Sequence, residues 1–367
     1  MNTHHDTLEK LRELWRKDAD AYLLVKQEFV ERKDLFYLTG FPGSTGVFLE
    51  TREHAFLLVD ARYHEVAEFH AVKEVTVIKI PSQKPLLEVL EEVLRRHGIA
   101  KLAIEDYAPV SFAFALETKM PNLDIFPVHE FGLSVRMKKR KDEIAHITEA
   151  QRITDILFKR ILQRVKKKLG TEYELAHFIK DEARKLGADD SSFDPIVASG
   201  PHSARPHHTP SHAKRIEKNS PLLLDFGVRY KGYCSDCSRT IWIGKNPTKE
   251  FVDAYETVLR AQNAGITASR FKGERPATMI DETARNVIEA SRFKGTFVHG
   301  LGHGVGLEVH EKPSISSFSA DILQGGEIIT IEPGIYIPGK FGIRIEDMVV
   351  AGSGKLLTHA PKNLVLL

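Results

Sequence analysis

The sequence predicts two domains in one chain of 367 residues: a small α/β domain over 1–132, then a larger α+β domain over 133–367 built from two similar halves. Three observations carry this. The chain is longer than one ordinary hydrophobic core fills. Its first 130 or so residues alternate short apolar runs with leucines at helical spacing. Beyond them, a pair of long helical patterns followed by β-rich chain occurs twice, as a duplicated unit would.

In the first domain, AYLLV (21–25), GVFLE (46–50), AFLLVD (55–60), EVTVIKI (74–80) and KLAIE (101–105) have the length and apolar character of strands. Leu86, Leu87, Leu90 and Leu94 share a helical face, and Gly98 stands where that helix would end. The segment VRMKKRKDEI (135–144) carries five basic residues. It reads as a solvated face leading into a helix at the domain boundary, in preference to a nuclear-localisation patch. Helical patterns follow over about 142–168 and 172–186. Thr171 and Glu174 form a capping box for the second, and Gly187 closes it. In the second half, Asn246-Pro247 starts a helix with a cap and a first-turn proline. A further helix runs to about 291, and strands follow.

Composition excludes several classes. Apolar residues make up 42 % and charged residues 28 %, a globular balance. Fifty-two basic against fifty acidic side chains leave a net charge of +2, which gives no reason to expect nucleic acid or an anionic membrane as partner. The N-terminal residues are charged throughout, unlike a signal peptide. No run approaches the ~18 apolar residues of a membrane span. Cys234 and Cys237 are the only cysteines, so no disulfide framework is expected and a cytoplasmic location fits best. Lacking a second pair and sitting on a predicted strand, they read neither as a redox motif nor as a zinc site.

The chemistry lies where acids and histidines occupy places that apolar side chains normally take. Asp225 interrupts a strand after three leucines, and Asp236 lies on the next strand, across a turn at Tyr230-Lys231-Gly232. Two such strands can present both carboxylates on one face. A buried pair repels itself unless a cation or proton intervenes. The competing reading has one acid capping a turn and the other meeting Arg229 or Arg239. In TFVHGLGHGVGLEVHE (296–311), His299, His303 and His310 stand among glycines that match neither a dinucleotide nor a Walker motif. Glycines beside His303 permit the close backbone approach of a crowded metal site. Glu332 follows an apolar strand, and Glu346 lies within the next, between Ile345 and Asp347. Four carboxylates and one imidazole would neutralise two divalent cations, and this oxygen-rich set suits Mn²⁺, Co²⁺ or Fe²⁺.

LLLDFG, SDCSRT, GHGVG, IEPG and RIED, in that order, resemble the pita-bread metallopeptidases, which include methionine aminopeptidase, Xaa-Pro aminopeptidase and prolidase. YLTGFPGSTGVFL (37–49) and VDARYHEVAE (59–68) resemble the creatinase-type N-terminal domain of the proline-specific branch, so the likeness spans nearly the whole chain. It implies a second domain of pseudo-symmetric halves, with a mixed curved sheet covered by helices. It implies that Asp225 chelates one metal, that Asp236 and Glu346 bridge two, and that His303 and Glu332 bind the other. Mn²⁺ is the first expectation; Co²⁺, Fe²⁺ and Zn²⁺ are alternatives. SSFDPIVASGPHSARPHH resembles the branch's substrate-histidine motif, with His207 in the matching place. His299 and His310 match histidines lining the substrate pocket, and Arg344 matches a pocket residue. His202, Arg205 and His208 depart from the pattern, which bears on fine specificity.

The implied activity is hydrolysis of the bond between an N-terminal residue and a following proline in proline-containing peptides, with Glu332 moving the proton. A homodimer is expected, with residues 1–132 closing one side of the cleft. A prolidase acting on free dipeptides is the main alternative, since Arg205, Arg344, His202 and His208 could clamp a carboxylate. Methionine aminopeptidase usually lacks so long an N-terminal domain. Creatinase lacks the metal ligands, and a non-catalytic binding module would be expected to have lost them.

Overall fold

In the computed structural model, which describes residues 3–28 and 32–367, the apolar runs of the first domain pair into one six-stranded sheet. Two units divide the chain, Met1–Arg136 and Met137–Leu367. The first contains α1 (Thr3–Trp15), β1 (Ala21–Lys26), α2 (Asp34–Thr39), β2 (Gly46–Thr51), β3 (Ala55–Val59) and α3 (His64–His70). Then come β4 (Val75–Lys79), α4 (Leu86–Arg96), β5 (Lys101–Glu105), α5 (Val110–Lys119), β6 (Asp124–Val128) and α6 (Phe131–Met137). The strand order is β4-β3-β2-β1-β5-β6. Strands β1 to β3 form an antiparallel meander, and β4, β5 and β6 each join in parallel. Parallel neighbours need crossovers, which α3 and α5 supply. Leu90 and Leu94 of α4 are fully buried in this core, and Gly98 takes the left-handed φ of +65° expected after the helix.

Every strand predicted for this domain is present, but β6 lay outside the prediction. Its sequence DIFPV contains a proline and buries only Val128, as an edge strand can. The basic run is also corrected, because two of its cations are inside. Arg136 is 1 % exposed and donates to the buried Asp34 at 2.8 Å. Lys139 forms an ion pair with buried Glu311 at 2.5 Å. A buried cation needs such a partner, and neither partner is near in sequence.

The second unit opens with α7 (Lys141–Lys167) and α8 (Glu172–Lys185). Thr171 and Glu174 make the expected reciprocal capping box, at 3.1 and 3.0 Å. Strands β7 (Asp190–Ser191), β8 (Ile196–Ser199), β9 (Ser220–Phe226), β10 (Val228–Tyr230), β11 (Tyr233–Cys234) and β12 (Cys237–Ile243) complete the first half. The second half repeats the plan with α9 (Lys249–Ala268), β13 (Arg275–Pro276) and α10 (Ala277–Glu289). Its strands are β14 (Gly302–Gly304), β15 (Glu311–Ile315), β16 (Ile322–Leu323), β17 (Ile328–Ile331), β18 (Gly334–Ile337), β19 (Phe341–Arg344), β20 (Asp347–Val350) and β21 (Lys355–Leu356). Helix α9 is capped by Thr248, whose hydroxyl accepts from the Phe251 N–H at 3.2 Å, and not by Asn246 as the sequence pattern predicted. Two cap-type residues lie within three positions, and pattern alone does not choose between such neighbours.

The main ladders of this unit are antiparallel, β12-β9-β8 in one half and β15-β14-β17-β20-β21 in the other. A parallel bridge joins Trp242 to Leu366. Each half has its own apolar core: Leu157, Phe158, Ile179 and Leu224 in the first, Phe251, Val258, Ile280 and Ile331 in the second. Among the described residues, no helix is long and apolar enough to cross a membrane.

Glu50 on β2 is buried and accepts from Trp15 Nε1 at 2.9 Å and Arg12 Nη2 at 3.1 Å. Burial outweighs both donors and pushes its carboxyl up to about 7. The folded chain then keeps a proton that the unfolded chain releases above its ordinary value of 4.5. The contribution of this group to stability is therefore complete below about pH 4.5 and declines as pH rises to about 7. Glu50→Gln is expected to remove that decline, on the order of 3 kcal/mol. Urea titrations from pH 4.5 to 7.5, followed through Trp15 in a Trp242→Phe background, measure it; parallel curves for parent and variant would refute it.

Candidate active site

Strand β9 is buried along its whole length, and Asp225 is buried with Leu222, Leu223 and Leu224, which precede it in the strand. The antiparallel register sets Asp225 opposite Ser238 of β12. Asp236 and Glu346 are not within strands, as the sequence reading had them. Ser235-Asp236 breaks the chain between β11 and β12, and Ile345-Glu346 breaks it between β19 and β20. Such a break frees the side chain from strict alternation. The two breaks face each other: the Glu346 N–H donates to the Ser238 carbonyl at 3.1 Å, and the Asp236 N–H lies 3.2 Å from Met348 Sδ.

Close backbone approach makes this possible. A Cβ on Gly227 would sit 1.9 Å from the Ser235 carbonyl oxygen, and one on Gly302 2.1 Å from that of Thr330. The ladder between β14 and β15 shifts register between His303 and Gly304, turning the imidazole into the site. Its Nδ1 donates to the Gly304 carbonyl at 3.0 Å, which turns Nε2 inward towards the acids. Nε2 lies 3.1 Å from Glu332 Oε1 and 3.7 Å from Asp236 Oδ2. Thr330 completes the setting, accepting from the His303 N–H at 3.0 Å and donating to Glu332 at 3.1 Å.

Donor atoms of Asp225, Asp236 and Glu346 fall within 4.8 Å of one another, as do those of His303, Glu332 and Glu346. Oxygens of Asp225, Asp236 and Glu346 are buried without a hydrogen-bond partner, although unsatisfied buried carboxylate oxygens are costly. Burial, and then repulsion from the neighbouring carboxylates, hold Asp236 and Glu346 well above the usual carboxylate range. Asp225 is raised by burial despite Arg344. Glu332 is buried too, but the hydrogen bond and charge of His303 bring it down to about 2. These residues fit two divalent cations, one for each triad, with Glu346 common to both. The competing reading fails, since Arg239 pairs with Asp347 at 2.7 Å and Asp225 with Arg344 at 2.5 Å.

The predicted substrate residues gather around this centre. His207, His299, His310 and Arg344 all line one cavity of about 740 Å³ together with the four acids and the His303 imidazole. His299 donates through Nδ1 to the Gly300 carbonyl at 2.7 Å, so its Nε2 accepts from the Tyr336 hydroxyl at 2.9 Å. Burial lowers its pKa, and burial followed by the His303 charge takes His310 down to about 4. His310 stacks edge-on to His303 at 4.3 Å, close enough that Asp236, His303 and His310 also form a possible donor set.

The clamp suggested for a prolidase is not assembled. Arg205 is exposed and away from the cavity wall, and Arg344 is bound to Asp225. His202 and His208 both point at Glu172, at 3.0 and 2.9 Å. Sequence reasoning missed Glu172, Tyr336, Ser238 and Thr330. Ser238 lay two residues after Asp236, on what reads in the sequence as the same strand, which was a usable signal; the others offered none.

The model of metallopeptidase family M24 matches residues 145–353, and that of the creatinase/prolidase N-terminal domain matches 8–138. The chain is 35 % identical to an uncharacterized peptidase, YqhT, of Bacillus subtilis over 98 % of this chain and 99 % of that one. It superposes on an Xaa-Pro dipeptidase from Bacillus anthracis with TM-score 0.90 and 33 % identity, covering 99 % of this chain and all of that one. It is also similar to an X-Pro aminopeptidase from Thermotoga maritima, with TM-score 0.86 and 30 % identity over 98 % and 99 % of the two chains.

The carboxylate cluster yields an unusual stability test. In chelator at pH 8, Asp236→Asn is expected to melt above the parent, because it removes one of several charges that repel one another. Each kcal/mol relieved should raise the midpoint by about 2–4 °C. With Mn²⁺ added, the order should reverse, since the variant has lost a ligand. A variant that melts lower than the parent in chelator would contradict the repulsion argument.

Proposed function

The chain belongs to metallopeptidase family M24, in its Xaa-Pro peptidase branch, and from that membership we propose that it is an Xaa-Pro aminopeptidase releasing the residue before a proline. The observation that carries the reading is the convergence of four carboxylates and His303, three of the acids with unpartnered oxygens, on one cavity. A second observation favours peptides longer than two residues. The cations lining that cavity are Lys180 and Arg344, and each is already in an ion pair, with Asp194 and Asp225. A dipeptidase needs a cation for the carboxylate of the terminal proline. The cavity also continues along Tyr173, Ala176, His177 and Lys180, one face of α8, which leaves room for chain beyond the scissile pair.

Asp225, Asp236, His303, Glu332 and Glu346 would hold two divalent ions, with Asp236 and Glu346 shared. Mn²⁺ is the proposed metal, because oxygen donors dominate the set. When bound, the ions would polarise the scissile carbonyl and bring the pKa of water towards roughly 7. Glu332, oriented by Thr330, receives the proton and passes it to the departing proline nitrogen. That nitrogen lacks an N–H in the substrate, so no residue here needs to accept from it. His310, neutral above about pH 4, can donate to the carbonyl oxygen, while His207 and His299 flank the peptide. A cytoplasmic homodimer completes the proposal, and the two cysteines are free and buried.

Turnover of Xaa-Pro, Xaa-Pro-Yaa and Xaa-Pro-Yaa-Zaa at matched concentration tests the reading. The longer peptides should be cleaved at least 10-fold better; a strong preference for the free dipeptide would make the chain a prolidase. His207→Ala, His299→Ala and His310→Ala should each lose about 10–100-fold in kcat/KM and keep two metal ions per chain. Loss of one ion from any of them would move that histidine among the ligands.

A further inference from the structure

Glu172, the first residue of α8, is fully buried outside the carboxylate cluster. Burying a carboxylate is costly, and this one is satisfied from four sides. Oε1 accepts from the Ser199 N–H at 2.8 Å and from His202 Nδ1 at 3.0 Å. Oε2 accepts from His208 Nε2 at 2.9 Å and the Ser211 N–H at 3.1 Å. An ionised carboxylate only accepts, so His202 carries its proton on Nδ1 and His208 on Nε2. The helix N-terminus adds a favourable potential for the negative charge.

These four donors bracket residues 199–211, the segment that carries His207. Ser199 and Ser211 are its two ends, and His202 and His208 lie either side of Pro206 and His207. Two further contacts fix its middle: the Gly342 N–H donates to Ser203 Oγ at 2.8 Å, and Arg344 Nη1 to the Pro206 carbonyl at 3.3 Å. His207 itself is exposed to the cavity and makes no hydrogen bond among the described residues. Its place is therefore set by the segment on either side of it. We propose that Glu172 is a positioning residue that clasps this segment closed through His202 and His208, and so aims His207 at the substrate. The donor set is saturated without a cation, which separates a clasp from a third metal site.

The catalytic arm of the test rests on the peptidase reading; the hydrogen-exchange arm does not. Glu172→Gln keeps the shape but turns an NH₂ group towards donors. It should lower kcat/KM about 10-fold or more, with two metal ions per chain retained and the melting midpoint little changed. Combined with His207→Ala, it should cost nothing further, because it acts through His207. Losses that multiply in the double variant would overturn the proposal, as would a third metal ion in the parent that is absent from Glu172→Gln. Without substrate, the Ser199 and Ser211 amides should exchange faster in the variant; unchanged protection would also overturn it. Should parent protein cleave no Xaa-Pro peptide while the variant frees those amides, the clasp stands and the peptidase reading falls. If Glu172→Gln fails to fold, His208→Asn, which keeps an N–H donor, should retain more activity than His208→Ala; equal loss would count against the clasp.

Discussion

Like charges crowded at the buried end of one cavity are the constraint on which the catalytic domain depends. Asp225, Asp236, Glu332 and Glu346 bring four carboxyl groups to one cavity, and three of them leave an oxygen without a donor. A fold does not hold such a cluster for stability, because each acid would pack better as an apolar side chain. The arrangement makes sense only with added positive charge. What the protein supplies itself falls short: one guanidinium and the imidazole of His303, against four carboxylates.

Delivering these acids requires local departures from regular β structure, and both halves use the same device. Each interrupts its strand for two residues at the acid, and the opposed breaks hydrogen-bond across the centre. Buried Arg239 reinforces them. It donates to the carbonyls of Ser238 and Glu346, one beside each break, and to Asp347. Each half therefore contributes one acid at its break and further donor groups from the adjoining strands.

Side chains out of place for their surroundings were legible in the sequence. An aspartate after three leucines, a second on what reads as the next strand, a histidine among glycines, a glutamate closing an apolar strand and another read within the next are each locally improbable, and all five proposed ligands were visible in this way. Regular strands were legible too, since β1, β2, β3 and β5 are continuous apolar runs. Features that depend on a distant partner were not. Arg136 and Lys139 looked solvated until Asp34 and Glu311 arrived from elsewhere in the chain. Glu172 looked like an ordinary first-turn acid, and its histidines looked like departures from a pattern. Only the fold shows that these three residues answer one another.

Arg344 shows how closely the chemistry and the substrate wall are joined. Its Nη2 donates to Asp225, its Nε to Ser238, and its Nη1 to both the Tyr336 hydroxyl and the Pro206 carbonyl. Tyr336 passes the constraint on to His299, and Pro206 adjoins His207. One planar fork thus sets a buried acid, a pocket histidine and the segment that carries His207 in a fixed relation. A lysine would offer only a point charge there. The same commitment limits what Arg344 can do for a ligand, since guanidinium has five N–H groups and four are already engaged. A residue so fully occupied is a frame for the site, with one N–H left to offer a carboxylate that enters the cavity.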